Sequence, residues 1–144
     1  MSELVIQHPV LGDLIYEEVL KGYVGSIELS EMPLKINLVA DADKIEAVGN
    51  QLISFLESDE FEDAFIAGLE RLLEIKNRDW LNDGEAEYVL EELFDFVSLD
   101  AIVVYEDKIE LYTDDLELLW RNRAVMKYNH QYQLISVEID INEE

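Results

Sequence analysis

The sequence contains no cysteine, two histidines, two prolines and only ten basic residues. The absence of cysteine excludes disulfides, thiol catalysis and cysteine-ligated zinc, and it fits a reducing compartment. The two histidines, His8 and His130, are far apart in the chain, which argues against a zinc site or a facial-triad iron site. We expect both to be exposed polar residues rather than general bases.

The sequence patterns of common catalytic and cofactor sites are also missing. No serine lies in a Gly-x-Ser-x-Gly elbow, and the six glycines form no phosphate-binding loop. The segment Asp79–Gly84 resembles the start of an EF-hand loop, but Leu81 and Leu90 stand where ligands are required. We therefore expect no cofactor, no metal and no enzymatic activity. A carboxylate-based, metal-dependent hydrolase stays open as a minor alternative, because distant acids can meet in a fold.

Targeting signals are lacking as well. The first residues contain no basic region followed by a long apolar run, so we expect no secretory signal. No apolar run approaches the length of a membrane span. With 144 residues and a hydrophobic fraction of 49%, the chain is expected to fold as a single domain, residues 1–144. Because the sequence shows neither a secretory signal nor a membrane span, we expect it in the cytoplasm.

The most informative property is the charge. Thirty-four acids against ten bases give a net charge of −24. Such a charge repels nucleic acid and anionic membranes, because their phosphates are also negative. It favours a basic protein partner, since opposite charges accelerate the encounter and discourage wrong partners. The alternative is that the acidity serves solubility alone.

The clearest helix is predicted for Ser58–Trp80, where the apolar residues recur with the 3.6-residue period of one buried face. We expect Ser58 to be the N-cap, its hydroxyl accepting a hydrogen bond from a free backbone N–H. Acids in the first turn are favoured by the helix macrodipole. The acids here exceed what capping needs and are a candidate contact surface. They are Glu57, Asp59, Glu60, Glu62 and Asp63.

The periodicity elsewhere predicts an α+β fold. Residues 1–12 read as a lead-in, and Asp13–Glu17 carries a weak strand signal. The other predicted elements are a β-hairpin at 22–40, helices at Ala42–Glu57 (capped by Asp41) and Glu85–Val97, and strands at Ala101–Tyr105, Lys108–Thr113, Arg123–Tyr128 and Tyr132–Ile141. Segregated strands and helices predict an antiparallel sheet, made of the N-terminal hairpin and a C-terminal four-stranded meander and packed by three central helices.

Within these elements we expect the third helix to place Tyr88 on its acidic face and to bury Val89, Leu90, Leu93, Phe96 and Val97. In the last strand, Ile135 is expected to share one face with Val137, Ile139 and Ile141, by the period-2 rule. The segment Asp114–Trp120 is left open between a bulge, a loop and a single helical turn.

A small group of bases stands out against the acidity. Arg121, Arg123 and Lys127 lie within seven residues, next to Trp120. They either form ion pairs with the surrounding acids or make a local basic patch that orients a partner.

Three segments resemble a family of small bacterial domains of unknown function. They are the opening His8-Pro9-Val10-Leu11-Gly12-Asp13-Leu14, the segment Leu72–Trp80 with its Lys76-Asn77, and the acidic, leucine-rich Asp114–Trp120. Where relatives carry Gly-His after the tryptophan, this sequence reads Arg121-Asn122, which puts any role of that histidine in doubt. Members of such families occur among the immunity proteins of bacterial toxin systems, including contact-dependent growth inhibition.

The resemblance and the charge lead to one hypothesis. The chain is expected to be an immunity protein that binds and neutralises a cognate toxin domain, a basic nuclease, without doing chemistry. The alternative is an acidic DNA mimic that occupies a DNA-binding protein. The candidate partner-binding residues are Glu57, Asp59, Glu60, Glu62, Asp63, Asp114, Asp115 and Glu117, with Tyr88, Tyr112 and Trp120 as aromatic anchors.

Overall fold

The structure is a computed structural model that describes residues 5–29 and 32–141. Its eight strands form one sheet whose strand order follows the chain. The strands are β1 (Val5–His8), β2 (Gly12–Glu17), β3 (Gly22–Leu29), β4 (Met32–Val39), β5 (Leu99–Tyr105), β6 (Lys108–Thr113), β7 (Arg123–Asn129) and β8 (Leu134–Asp140). The helices between β4 and β5 are α1 (Ile45–Glu57), α2 (Asp59–Asp79) and α3 (Leu90–Phe96). The α+β prediction is confirmed.

The sheet is larger than predicted and is not purely antiparallel. The lead-in contains β1, which pairs with β2 from Val5↔Ile15 to His8↔Gly12, while residues 1–4 lie outside the described part. Strands β4 and β5 run parallel from Lys35↔Ala101 to Val39↔Tyr105. The antiparallel prediction is wrong at this junction, because the helical segment between β4 and β5 is a crossover long enough for parallel pairing.

The core is built on one sheet face by alternate residues of each strand. The register aligns Ile36 with Ile102, Ile102 with Leu111, and Leu111 with Met126, and all four side chains are buried. These residues belong to one hydrophobic cluster that also contains the apolar sides of α1 and α2. The period-2 alternation therefore places every second strand residue on the opposite face.

The start of the first helix differs from the predicted capping. Residues Ala42–Lys44 form a short 3₁₀ turn, and α1 begins at Ile45. The carbonyl of Asp41 accepts from the backbone N–H of Lys44 at 2.8 Å, but the Asp41 side chain makes no capping hydrogen bond. The predicted break at Ser58 and the long helix after it are confirmed. No helix in the described part of the chain is both long and apolar enough to cross a membrane.

The third helix begins at Leu90, later than predicted, because the Asn77 side chain forms hydrogen bonds with the backbone N–H and C=O of Tyr88. Asn77 Nδ2 donates to the Tyr88 carbonyl at 2.9 Å, and the Tyr88 N–H donates to Asn77 Oδ1 at 2.8 Å. Residues 85–89 are therefore not helical. Leu93 and Val97 are buried as predicted and Leu90 is half-buried, but Phe96 and Val89, which were also expected to be buried, are mostly exposed.

The last strand changes face at a β-bulge. Lys127 pairs with Ser136, but Tyr128 pairs with Leu134, so Ile135 has no partner in the register. Leu134 packs against the core and Ile135 is 61% exposed. The prediction that Ile135 shares the buried face of Val137 is wrong, because a bulge shifts the alternation by one residue.

His8 is buried, not exposed as predicted. Its Nδ1 accepts the backbone N–H groups of Val10 and Leu11, both at 3.1 Å. The proton therefore lies on Nε2, which is 3.3 Å from the carbonyl oxygen of Glu46 in α1. His8 thus fastens the β1–β2 turn to the first helix, while His130 lies exposed in the β7–β8 turn, as expected.

Close packing of α2 on the sheet predicts the effect of one methyl group. A Cβ at Gly68 would lie 2.5 Å from Met126 Sδ and 2.6 Å from the Tyr128 hydroxyl, which donates to the Ala64 carbonyl. We expect Gly68→Ala to lower the free energy of unfolding by roughly 1–3 kcal/mol. Helix propensity alone favours alanine by about 1 kcal/mol. Chemical denaturation of both proteins measures whether the steric cost or the gain in helix propensity is larger.

The control is Tyr128→Phe, which removes the oxygen in the way of the new methyl group. Gly68→Ala should cost less in the Tyr128→Phe background than in the wild type, because the two changes are coupled through a contact. A Gly68→Ala protein more stable than the wild type would contradict the close packing described above.

Candidate partner-binding surface

The first predicted cluster lies at the junction of α1 and α2 and is called the acidic corner. It consists of Glu57, Asp59, Glu60, Glu62 and Asp63, all exposed. Three of these acids lie in the first turn of α2, where the helix macrodipole favours negative charge. Ser58 stands at the N-cap position, but its hydroxyl donates to the Phe55 carbonyl at 2.8 Å. The predicted side-chain cap is therefore wrong, although the helix boundary is right.

Within residues 5–29 and 32–141, no base forms an ion pair with the acidic corner. Eight of the ten bases of the chain pair with acids elsewhere in the described residues, at distances from 2.8 to 3.8 Å. None of these pairs uses an acid of the corner. The bases are thus largely neutralised, and the negative field of the corner is uncompensated.

An aromatic group lies beneath the acidic corner. Phe55 is buried and stacks on Tyr132 with ring centroids 4.3 Å apart. Phe61 meets Phe55 edge-on at 5.4 Å and stacks with Phe65 at 6.2 Å. Phe61, Phe65 and Tyr132 are partly exposed, so the corner combines charge with accessible aromatic surface. Tyr132 was missed by sequence reasoning, because it reaches the corner from the β7–β8 turn.

The second cluster lies between β6 and β7 and is called the acidic loop. It consists of Asp114, Asp115 and Glu117, all exposed. The undecided segment resolves as a 3₁₀ turn at Glu117–Leu119, closed by a bridge between Leu116 and Asn122. Asp114 accepts a hydrogen bond from the Ser98 hydroxyl at 2.9 Å.

The fold brings the acidic loop and Tyr88 together. A cleft of about 500 Å³ is lined by Asp114, Asp115 and Glu117 on one side and by Tyr88 and Phe96 on the other. The acidic corner does not line this cleft. The predicted residues therefore form two separate sites rather than one surface patch.

Trp120 is the exposed aromatic residue beside the acidic loop. Its ring lies 4.6 Å from that of Trp80, at the end of α2, and 49% of the residue is exposed. Trp120 and Arg121 both have a positive φ, 56° and 68°, which turns the chain sharply into β7. Contact with Trp80 holds the indole in place.

Tyr112 is half-buried, and its hydroxyl is already engaged within the chain. It lies on the sheet, where its hydroxyl donates to Glu110 Oε1 at 2.9 Å and Arg123 lies 5.2 Å from its ring. Burial, and then the hydrogen bond to Glu110, raise the pKa of Tyr112 well above its usual value. Glu110 itself is buried, and Tyr105 also directs its hydroxyl at Oε1, from 3.5 Å. Strand periodicity gave no sign that this acid is enclosed.

The small basic group forms ion pairs, which decides between the two predicted alternatives. Arg123 pairs with Asp140 at 2.8 Å and Lys127 with Glu138 at 3.1 Å. Arg121 Nε lies 3.6 Å from Glu117 Oε1, and both side chains are highly exposed. The hydrogen bond from Lys127 lowers the pKa of Glu138. These bases are therefore engaged and form no independent basic patch.

The segment Lys76-Asn77 holds the wall of the cleft. Lys76 is fully buried, and its Nζ lies 2.6 Å from the Trp80 carbonyl oxygen, 3.0 Å from Glu85 Oε1 and 5.0 Å from the Tyr88 ring centroid. The Tyr88 hydroxyl donates to the other oxygen of Glu85 at 3.0 Å. Desolvation and this hydrogen bond raise the pKa of Tyr88. The Asn82 backbone N–H and then Lys76 lower the pKa of Glu85.

The described residues contain no group of three or more histidine, cysteine, aspartate or glutamate side chains arranged to hold a metal ion. Comparisons with family models, curated proteins and solved structures find no match for this chain. The candidate sites therefore rest on the geometry of this molecule alone.

Replacing a buried base of α2 by methionine should lower the free energy of unfolding much more than replacing an exposed base of the same helix. Lys76→Met leaves Glu85 without its cation, and we expect the free energy of unfolding to fall by roughly 2–4 kcal/mol. Arg71 makes a comparable ion pair with Glu74 at 2.8 Å, but in solvent. The control Arg71→Met should cost less than about 1 kcal/mol. Equal losses in urea denaturation would contradict the structural role of Lys76.

The lowered pKa of Glu85 predicts how this stabilisation depends on pH. Because the folded pKa is below the usual 4.5, the contribution of Glu85 is complete above pH 4.5 and is lost as the pH falls through the folded pKa. The stability difference between wild type and Glu85→Gln should therefore be largest near neutral pH and shrink below pH 4.5. Denaturation curves at several pH values measure it, and a difference independent of pH would contradict this assignment.

Proposed function

We propose that this chain is an immunity protein of a bacterial toxin system, acting in the cytoplasm. It binds the toxin domain, a basic nuclease, and neutralises it by covering a functional surface, without catalysis. The observation that carries the proposal is the uncompensated charge of the acidic corner, in a chain whose bases are mostly paired with other acids.

Electrostatics explains why this arrangement suits an inhibitor. A nuclease presents a positive cleft to its substrate, and an acidic surface is attracted to the same cleft. Opposite charges raise the rate of association and discourage wrong partners. Because eight of the ten bases pair with acids of the same chain, they weaken the attraction between the acidic surface and a positive cleft only little.

Affinity needs more than charge, and aromatic residues supply it at protein interfaces. The acidic corner has Phe61, Phe65 and Tyr132 beside it, and the acidic loop has Trp120 held on Trp80. Rings already fixed by neighbours lose little conformational entropy on binding. The acidic corner and the acidic loop would thus offer two separate contact regions to the toxin.

The backbone near Trp120 also agrees with the family resemblance. Position 121, where the resembled domains carry glycine, has a φ of 68° in this chain. Glycine adopts that conformation without strain, whereas arginine rarely does. Asn122, in place of the histidine, is buried and donates to the Leu119 carbonyl at 3.0 Å. The turn therefore keeps a shape that Gly-His would also suit.

The experiment compares the capture of a toxin domain by three tagged proteins: wild type, a corner variant and a charge-matched control. The corner variant carries Asp59→Asn, Glu60→Gln, Glu62→Gln and Asp63→Asn. The control carries Glu46→Gln, Asp83→Asn, Glu87→Gln and Asp107→Asn, which are exposed acids outside the ion pairs described above. The partner captured from the source cells by the wild type is identified, purified and used for binding kinetics.

We expect the corner variant to associate with the toxin roughly tenfold more slowly or worse, with a weaker dependence on salt, while the control behaves like wild type. The wild type, but not the corner variant, should also protect nucleic acid from the toxin. Melting temperatures verify that both variants fold. Equal losses in both variants would mean that only the net charge matters and not the position of the acidic corner. Capture of general DNA-binding proteins instead would support the DNA mimic.

A further inference from the structure

The last strand, β8, is an open edge of the sheet. Because the strand order follows the chain, β1 and β8 form its two edges. β8 pairs with β7 on one side, and no other backbone hydrogen bond within residues 5–29 and 32–141 reaches it. The N–H and C=O groups of a strand point alternately to its two sides. Those of β8 that point away from β7 are therefore available to a further strand.

The β8 edge has few of the features that usually protect a sheet edge, which are lysine, proline, bulges and very short strands. β8 has seven residues and contains neither lysine nor proline. Its bulge lies at Ile135, near the start, and Ser136–Asp140 then pair regularly with β7. The other edge, β1, is described over four residues and is followed by Pro9. β8 is thus the longer and less protected edge.

On the helix side of the sheet, β8 presents apolar side chains. Val137 is buried in the hydrophobic cluster, and Ile139 packs against that cluster and is half-buried. Ile135 and Ile141, at the two ends of the strand, are 61% and 52% exposed. An apolar side chain of an added strand would cover this surface, and apolar cross-strand pairs stabilise a sheet.

On the opposite side of the sheet, β8 presents acids, because side chains alternate along a strand. Glu138 lies 3.1 Å from Lys127 of β7, and Asp140 lies 2.8 Å from Arg123. The acidic side chains are still 56% and 46% exposed. Opposite charges on neighbouring strands stabilise the pair, whereas like charges destabilise it. An added strand with bases at these positions would give each acid a base on either side.

Two observations favour the basic partner over a second copy of this chain. The edge continues into the acidic corner, since Tyr132, which stacks on Phe55 beneath the corner, lies just before β8. A protein bound at the corner would therefore lie close to the start of β8. A second copy would place the acids of two edges on one face and would join two chains with a net charge of −24 each.

We propose that β8 receives an extended segment of the basic partner as an added strand. Basic residues of that segment lie beside Glu138 and Asp140, and the apolar residues between them cover Val137 and Ile139. Backbone hydrogen bonds provide the affinity of such a complex, and the alternating side chains provide its specificity. The inference rests on the proposed function for the identity of the partner, but not for the chemistry of the edge.

The first test uses peptides with alternating side chains. The probe is Ac-Val-Lys-Val-Lys-Val-Lys-Val-amide. One matched peptide has the same side chains with every inner backbone nitrogen methylated, and another has glutamate in place of lysine. Amide NMR shifts on the full chain measure affinity and location. We expect the methylated peptide to bind at least about tenfold more weakly, because its backbone donors are lost. The glutamate peptide should not bind, and the shifted amides should lie in β7 and β8.

The second test changes the edge at constant net charge. The edge variant carries Ile135→Lys and Ile141→Lys, which place bases at both ends of β8. The control carries Val10→Lys and Val19→Lys, which are equally exposed positions in the turns on either side of β2. We expect the edge variant to bind the lysine peptide roughly tenfold more weakly than the control, since like charges oppose strand pairing. Melting temperatures verify that both variants fold.

Several results would overturn the added strand. They are equal binding of the lysine peptide and its methylated form, shifts confined to residues outside β7 and β8, and equal binding by the edge variant and the control. Sedimentation of the chain alone tests the other occupant. A dimer that forms in the wild type and the control, but not in the edge variant, would assign the edge to a second copy instead.

The proposed function fails separately from this inference. If the lysine peptide binds along β8 but no toxin is captured from the source cells, the strand site stands and the immunity role falls. If a toxin is captured equally well by the edge variant and the control, the immunity role stands and the added strand falls.

Discussion

A single buried cation organises the connection on which the sheet depends. The chain must pass from the end of α2 to the start of β5 for β4 and β5 to pair in parallel, and this segment has little regular structure. Lys76 holds it by bonding the carbonyl of Trp80 and the carboxylate of Glu85, and Asn77 continues the attachment at Tyr88. A buried charge is tolerated only with such partners, so the connection and the cation depend on each other.

The three segments His8–Leu14, Leu72–Trp80 and Asp114–Trp120 share one physical role. His8 binds two backbone N–H groups and faces the Glu46 carbonyl, Lys76-Asn77 binds the α2–α3 connection, and Leu116 accepts the Arg121 N–H at 2.8 Å. Each fixes irregular backbone, which hydrophobic periodicity cannot do. These residues therefore concern the scaffold, and the proposed function rests on other residues, those of the acidic corner.

Local periodicity accounts for most elements of the fold but not for what joins them. The strands from 101 to 113 and the long helix were predictable because their partners are near in sequence or their buried face repeats regularly. The parallel pairing, the late start of α3 and the exposure of Ile135 depend on contacts between distant segments. The same holds for the site. Acidic residues were visible as clusters, whereas the burial of Glu110 arises only when neighbouring strands are aligned.

The placement of charge explains how the chain can keep an uncompensated surface. Three of the five acids of the corner, Asp59, Glu60 and Glu62, lie in the first turn of a 21-residue helix, whose dipole stabilises them without a basic residue, whereas Glu57 ends α1. Bases are placed where structure needs them, as in the buried Lys76 pair and the pairs of β7 with β8. Adding lysines beside the corner would relieve repulsion but would also cancel the negative field on which the proposed function rests. The charges therefore differ in role by position: a few paired cations stabilise the fold, and the exposed carboxylates are the ones that the proposed function assigns to recognition.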